Sequence, residues 1–426
     1  MTYPDSVRFL YALGNEVKTA KLGLDRIRAL LAALGDPQHA YRIVHVAGTN
    51  GKGSTSAMIE SGLRAAGHRT GLFTSPHLIE PTERIQIAGE PVSAALFAAA
   101  FDEIHRCSER LLERGTIDLH PTYFECVTAM ALLLFRDSRV DCAVLEVGLG
   151  GRLDATNVVL PQLCVITPVD FDHEAYLGKS LESIAGEKAG ILKQGVPAVF
   201  APQRPEAAQV LETRAAELGV AVTHSSQAEL SGIALHARGT NFNWRGLAID
   251  CPLPGEHQVE NTRTAIAALE RLGVTPETIR DGIAQTVWPG RLERVAENPE
   301  IILDGAHNPA GARALAAYLD RFYHPRRVWL IYGAMRDKAV EEIAAILFPR
   351  AARVIVTAPA QARALRPESI LELADHPGVQ AAANLVQALA LARTAAAGDA
   401  IFVTGSLFLV GEARALLVRA GVKAPA

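Results

Sequence analysis

The sequence predicts an α/β protein: a P-loop-containing, mostly parallel sheet in an N-terminal domain over residues 1–291, then a smaller Rossmann-like α/β domain over 292–426. Three observations predict it. Apolar, β-branched runs alternate with longer amphipathic stretches, the rhythm of parallel strands joined by crossover helices. The first such run ends in a glycine-rich turn around Lys52. The rhythm breaks at Trp288-Pro289-Gly290-Arg291 and restarts from Glu300. A chain of 426 residues also suits two or three domains of roughly 100–200 residues each.

Residues 1–40 read as helical and stop at Leu34-Gly35-Asp36-Pro37, and the mixed-charge stretch 21–27 within them reads as a solvated helix face. Residues 43–46 form a strand, and 54–66 a helix with Ile59, Leu63 and Ala66 at helical spacing. Between them lie Gly48, Thr49, Asn50, Gly51, Lys52, Gly53 and Ser54. A strand, a glycine turn and a helix N-terminus bring several N–H groups onto one small anion, and Lys52 adds positive charge. This points to a bound triphosphate rather than a merely structural turn. The spacing differs from G-x-x-x-x-G-K-[ST]: Val46 stands at the first glycine and Gly53 at the hydroxyl.

Residues 68–73 make a short second strand that opens into 74–78, irregular because of Pro76, and amphipathic helices follow at 92–114 and 123–135. Residues 140–147 are a buried strand with one acid in it, Glu146. A carboxylate at the C-terminal end of an apolar strand is costly unless paired or metal-bound, and ligands gather at that end of a parallel sheet. Glu146 is therefore a candidate functional acid. Gly148-Leu149-Gly150-Gly151 imitates a dinucleotide loop, but Leu153 stands where its last glycine belongs. The strand 162–167 leads to His173 among Asp170, Asp172 and Glu174, a hard-ligand neighbourhood suited to magnesium. Ser180 caps a helix running to Lys193, in which small residues flank Lys188 and let it reach inward.

A strand at 196–202, a helix to Leu218 and a strand at 220–223 come next. Residues 232–251 shorten into strands suited to antiparallel pairing, and 261–272 and 276–287 are alanine-rich helices. Beyond the break, strands at 301–303, 328–333, 354–358 and 401–404 alternate with helices, and Asp304 falls at the ligand end of the first. Two sheets with acids and glycines at their strand ends imply a cleft between domains that holds ATP and magnesium. Kinases, ATPase switches and ligases would all use such a set.

A net charge of −4 argues against broad nucleic-acid or anionic-membrane binding. The five cysteines, Cys107, Cys126, Cys142, Cys164 and Cys251, form no C-x-x-C pair and read as buried thiols in a reducing compartment. Asp5 and Arg8 come early with no apolar stretch of signal-peptide type, and no apolar run is long enough to span a bilayer, so the expected location is cytoplasmic.

The residues outside the loop narrow the function. They are GTNGKGS at 48–54, TSPHL at 74–78, ERI at 83–85, EVGLGGRLDATN at 146–157, Asp172-His173 with Leu177-Gly178, GEKAGI at 186–191, PGR at 289–291 and DGAHNP at 304–309. In this order, over nearly the whole chain, the sequence resembles the dihydrofolate synthase/folylpolyglutamate synthase family, a branch of the Mur-type ATP-dependent amide ligases. The resemblance implies that residues 49–54 hold the ATP phosphates, that Ser75, Glu146 and His173 ligate magnesium, and that a carbamylated Lys188 helps bind a second ion. It implies nucleotide contacts at Asn261, Arg291 and Asp304. The pterin would bind at Thr122, Tyr123, Phe124 and Glu125 and at Leu153, Asp154 and Ala155, where Phe124 offers an aromatic face. His307 would belong to the closing interface near the incoming glutamate.

The implied substrates are dihydropteroate, reduced folates and L-glutamate, joined through an acyl phosphate by a monomeric enzyme. A peptidoglycan-type Mur ligase would carry a further N-terminal domain. The same phosphate loop would also serve a folylpolyglutamate synthase without dihydrofolate synthase activity or, in a different class, a P-loop nucleotide-binding switch or transporter ATPase.

Overall fold

The computed structural model describes residues 1–13, 23–373 and 376–419. Eight strands form the larger sheet: β1 (Arg42–Ala47), β2 (Thr70–Phe73), β3 (Ile85–Ile87), β4 (Glu90–Pro91), β5 (Cys142–Glu146), β6 (Leu163–Ile166), β7 (Ala198–Phe200) and β8 (Val222–His224). Their order is β4-β3-β2-β5-β1-β6-β7-β8. From β2 to β8 neighbours pair in parallel, while β3 and β4 form an antiparallel ribbon at one edge. Val46 of β1 lies opposite Glu146 of β5 and Val165 of β6. That register sets the glycine loop, Glu146 and the segment after β6 side by side at the carboxyl ends of three adjacent strands.

Both faces of this sheet are covered, which is why its strands read as continuous apolar runs. Ala143 and Leu145 pack with helices Ala94–Glu113 and Tyr123–Asp137, whereas Cys142 and Val144 pack with helices Lys52–Ala65, His257–Arg271 and Pro276–Ala284. Glu146 shares the parity of Cys142 and Val144, so it points to the side of the helix that follows the glycine loop.

Strands β9 (Leu230–His236), β10 (Gly239–Trp244) and β11 (Leu247–Cys251) form a separate antiparallel sheet, as their polar interruptions predict. The third sheet holds β12 (Glu293–Glu297), β13 (Glu300–Leu303), β14 (Val328–Tyr332), β15 (Arg353–Val356), β16 (Val379–Ala381) and β17 (Ala400–Thr404). Its order is β12-β13-β17-β14-β15-β16, parallel except for β12. Apolar cores lie on both of its faces. The fold is thus mixed α/β, with a large parallel sheet and a second, smaller unit.

Several elements differ from the sequence reading. The helical stretch expected over 1–40 is two helices, Tyr3–Ala12 and Asp25–Ala33, and residues 14–22 lie outside the described residues, with Lys21 and Leu22 of the amphipathic stretch among them. Strands β3, β4, β12 and β16 have no counterpart in it; β3 alternates over only three residues, and the others are short or edge strands, largely exposed or polar, that carry no sustained apolar pattern. The helix capped by Ser180 ends at Ala189 rather than Lys193. There Gly190 packs onto Arg152, where a Cβ would lie 2.4 Å from the arginine's own Cβ, and the chain leaves the helix. Among the described residues no helix is long and apolar enough to cross a membrane.

Candidate functional site

The chain leaves β1 at Gly48, where φ is +150° and a Cβ would fall 1.8 Å from Thr167 Oγ1. Only glycine lets the loop pass that close to the end of β6. Gly51, at φ +83°, precedes helix Lys52–Ala65, and a Cβ there would meet Asn261 Oδ1 at 2.2 Å. The missing hydroxyl of the loop also has a cause: the ring of Trp288 would lie 2.6 Å from a Cβ at Gly53. The N–H groups of Thr49 and Asn50 donate to the Pro168 carbonyl at 2.9 and 3.2 Å. The anion cradle is therefore narrower than the loop's length implies. It consists chiefly of the first helical turn from Lys52 to Ser54, whose N–H groups have no carbonyl one turn back within the helix. Lys52 Nζ donates to Thr49 O at 3.2 Å, folding over that turn. Asn261 donates to Gln258 at 2.9 Å, and Gln258 reaches Ser54 Oγ at 3.4 Å, tying helix His257–Arg271 to the loop.

Glu146 is 4% exposed and accepts the Ser75 N–H at 3.1 Å. Burial pushes its carboxyl up, against the pull of Lys52, the Ser75 N–H, Arg291 and Arg84. Lys188 is 3% exposed and donates to Gly48 O at 2.7 Å. Burial, with Lys52 beside it, brings its ammonium down to about 7, although Asp172, Asp154 and Glu187 oppose the shift. Burial likewise brings the His173 imidazole down to about 4, so it is neutral near pH 7. A buried carboxylate, a serine bonded to it through its backbone and a neutral imidazole are ligand types that magnesium accepts; the residues fit the ion.

Of the acids expected around His173, Asp172 alone is placed beside it, with Oδ1 3.9 Å from His173 Nε2. Asp172 also pairs with Lys338 Nζ at 2.6 Å and accepts from Asn308 Nδ2 at 3.3 Å, Glu174 is exposed, and Asp170 bonds the Phe171 N–H. Burial would raise the Asp172 carboxyl, but His307, Lys338 and His173 together hold it well below the usual carboxylate range. With those partners the carboxylate links the end of β6 to the segments that follow β13 and β14.

The second unit closes on the loop through its strand ends. Asn308 Nδ2 donates to Asn50 Oδ1 at 2.9 Å. His307 Nδ1 donates to Gly305 O at 2.7 Å, which leaves Nε2 facing Asp172 at 3.7 Å. Asp304 is buried, and its oxygens accept the N–H groups of Leu292 and Ala306 at 3.1 and 3.0 Å, so it also fastens the hinge. Burial lowers the Arg291 guanidinium, with Asp304 and Glu146 pulling the other way. Arg291 thus lies within electrostatic reach of acids from both sheets.

The two expected pterin segments flank Gly148. Thr122 caps helix Tyr123–Asp137: its N–H donates to Glu125 at 2.7 Å and its hydroxyl accepts the Glu125 N–H. Glu125 also pairs with Arg26 at 3.3 Å, so its carboxylate already serves a capping box and a buried ion pair. Tyr123 stacks on Tyr11 (centroids 5.6 Å apart) with Arg84 over its ring at 5.2 Å. Phe124 is 9% exposed, packed on Phe73 and against Gly148. Its ring therefore offers a ligand a rim more than a face. Asp154 is buried and accepts from the Leu149 and Thr156 N–H groups at 2.9 and 3.0 Å, holding the loop that carries Leu153 and Ala155.

Sequence reasoning assigns no role to Gln258, His257, Asn308 or Lys338. Burial pulls the His257 imidazole down, and both Asp304 and Arg291 act on it. Asn308 and Lys338 follow β13 and β14 at the ligand end of the third sheet, the signal that would have found them.

Comparison with known proteins gives two family matches: the Mur ligase middle domain over residues 46–269, and the Mur ligase, glutamate ligase domain over 290–407. The dihydrofolate synthase/folylpolyglutamate synthase of Mycobacterium tuberculosis is 38% identical, over 93% of this chain and 90% of its own length. The folylpolyglutamate synthase of Lacticaseibacillus casei is 36% identical, over 98% and 99%. Among solved structures, M. tuberculosis folylpolyglutamate synthase complexed with ADP and AMPPCP superposes with a TM-score of 0.90 at 35% identity, covering 97% of this chain and 99% of that one. E. coli FolC in complex with DHPP and ADP gives 0.85 at 33%, over 97% and 98%.

Proposed function

The chain belongs to the Mur ligase family, within its dihydrofolate synthase/folylpolyglutamate synthase branch, and from that premise we propose how its own residues do the work. It is an ATP-dependent ligase that joins L-glutamate to dihydropteroate and to the glutamate tail of reduced folates. In this reading residues 1–291 bind ATP and the pterin, and residues 292–426 form the glutamate-ligase domain. Lys52 and the turn from Gly48 to Ser54 hold the phosphates, and Asn261, Arg291 and Asp304 contact the nucleotide. The observation that carries the reading is the closure of the second unit onto this loop, through Asn308 to Asn50 at 2.9 Å and Lys338 to Asp172 at 2.6 Å.

A carboxylate is a poor electrophile. One oxygen of the acceptor carboxylate therefore attacks the γ-phosphorus, the bond to ADP breaks, and an acyl phosphate forms. The amine of glutamate attacks the acyl carbon, loses a proton, and inorganic phosphate leaves with the amide made. Lys52 offsets the repulsion between two anions as the phosphoryl group moves. Holding both reactants in line supplies part of the roughly 7–11 kcal/mol that ideal positioning can give, and closure keeps water from the acyl phosphate. His307, with Nδ1 donating to Gly305 O and Nε2 facing Asp172 at 3.7 Å, lies in the closing interface that borders the incoming glutamate. Thr122 to Glu125 and Leu153 to Ala155 border the pterin.

Ser75, Glu146 and His173 would hold magnesium, which when bound neutralises phosphate charge; a carbamylated Lys188 would help hold a second ion. Glu146→Gln is then expected to raise the magnesium concentration needed for half-maximal turnover by about tenfold or more, while leaving the fold intact; an unchanged magnesium titration would argue against ligation. Five buried, unpaired cysteines support a reducing, cytoplasmic setting. The experiment that tests the function is phosphate release with glutamate, with dihydropteroate and tetrahydrofolate supplied in separate reactions. Turnover with both is expected. Turnover with tetrahydrofolate alone would make the enzyme monofunctional, and turnover independent of glutamate would make it an ATPase.

A further inference from the structure

On the helical layer away from the loop, His105, Glu109 and His120 bring one ligand atom each to within 4.8 Å of one another. His105 and Glu109 are one turn apart on helix Ala94–Glu113, with His105 Nδ1 3.9 Å from Glu109 Oε1. His120 belongs to the segment just before Thr122, the cap of the next helix. Its Nδ1 lies 2.9 Å from the Pro121 carbonyl. A carbonyl only accepts, so Nδ1 carries the proton and Nε2 keeps its lone pair. Metal-binding imidazoles are held this way, one nitrogen donating to a backbone carbonyl while the other meets the ion.

His120 Nε2 and His105 Nδ1 are both buried without a hydrogen-bond partner. Two such nitrogens in one spot call for an explanation, because buried polar atoms left unsatisfied destabilise the fold. The rings are also held in place: His105 stacks on Phe101 at 5.8 Å and meets Phe9 edge-on at 4.7 Å, and His120 lies 5.6 Å from Phe9.

We propose that His105, Glu109 and His120 bind one divalent cation of the zinc class, with water as the fourth ligand. Two imidazoles and one carboxylate suit Zn2+ better than Mg2+, whose sites are dominated by oxygen donors. The exposed carboxylate of Glu109 is free to swing onto an ion held between the two imidazoles. The ion clasps the segment before Thr122 to the neighbouring helix, and so steadies the N-terminus of helix Tyr123–Asp137, one border of the pterin region. The site shares no residue with Ser75, Glu146 and His173.

The test titrates chelator-stripped full-length protein with zinc chloride, in saturating magnesium and ADP so that the loop site is filled, and follows heat of binding and Tm. One zinc per chain and a raised Tm are expected. His105→Gln and His120→Gln should each weaken zinc binding by at least about tenfold and abolish most of the Tm shift, and X-ray absorption should report two nitrogen ligands. Glu109→Gln, an exposed change that leaves the core alone, serves if either histidine variant fails to fold, and should also weaken binding. Failure of the wild type to bind zinc, or equal binding by all folded variants, would overturn the proposal.

Discussion

Lys52→Ala is expected to reduce ADP release in the presence of dihydropteroate and glutamate by roughly 10²–10³-fold or more, the scale seen when a single preorganised donor is removed from a developing charge. The loss should be larger in kcat than in the affinity for glutamate, because Lys52 lies over the phosphate turn and not against the second unit's His307. The fold should survive, since the side chain is half-buried and its bond to Thr49 O is a local one. An unchanged Tm with turnover lost would locate the defect in chemistry. Retained turnover would count against the loop as the phosphate site.

Lys188→Ala is expected to come next in size, and its behaviour with pH separates two roles for the lysine. The ammonium is buried among Lys52 and the Gly48 carbonyl, and its value falls to about 7 from an ordinary 10.5. Much of it is therefore a neutral amine at physiological pH. A neutral amine adds to carbon dioxide, forming a C–N bond and releasing one proton, and the resulting carbamate is an anion placed beside Lys52. Turnover should accordingly rise with pH through about 7, fall in carbon-dioxide-free buffer, and recover with bicarbonate. Lys188→Ala should lose about two orders of magnitude in turnover, in the range for removing one electrostatic group, and regain part of it with formate or acetate. Full activity in the variant would remove the carbamate from the mechanism. The linkage to stability has a definite sign: the native chain releases this proton before the unfolded one, so the lysine's burial destabilises least at high pH, and stability rises between about 7 and 10.5.

Much of the fold was legible because both sheets are buried on two faces. Strands such as 140–147 and 401–404 needed no alternation to be read, and the antiparallel sheet over 232–251 betrayed itself through polar interruptions. Strands β12 and β16 escaped because edge strands lack that signature. In the candidate site, Glu146 stood out because an acid inside an apolar strand violates local expectation. Asp172 misled for the converse reason. In sequence it stands beside His173 and reads as a potential ligand, yet its partners Lys338 and Asn308 lie 166 and 136 residues away. Long-range ion pairs leave no local pattern. Glu125 is similar: its partner Arg26 lies 99 residues earlier, so nothing beside it in the chain announces the pairing.

The most direct measurement follows oxygen. Dihydropteroate labelled with oxygen-18 in its carboxylate is turned over with ATP, magnesium and glutamate, and the released phosphate is examined by mass spectrometry. If the acceptor attacks the γ-phosphorus in the cleft closed by Asn308 and Lys338, each phosphate carries one labelled oxygen. Unlabelled phosphate, released alongside normal amide formation, would contradict activation by phosphoryl transfer.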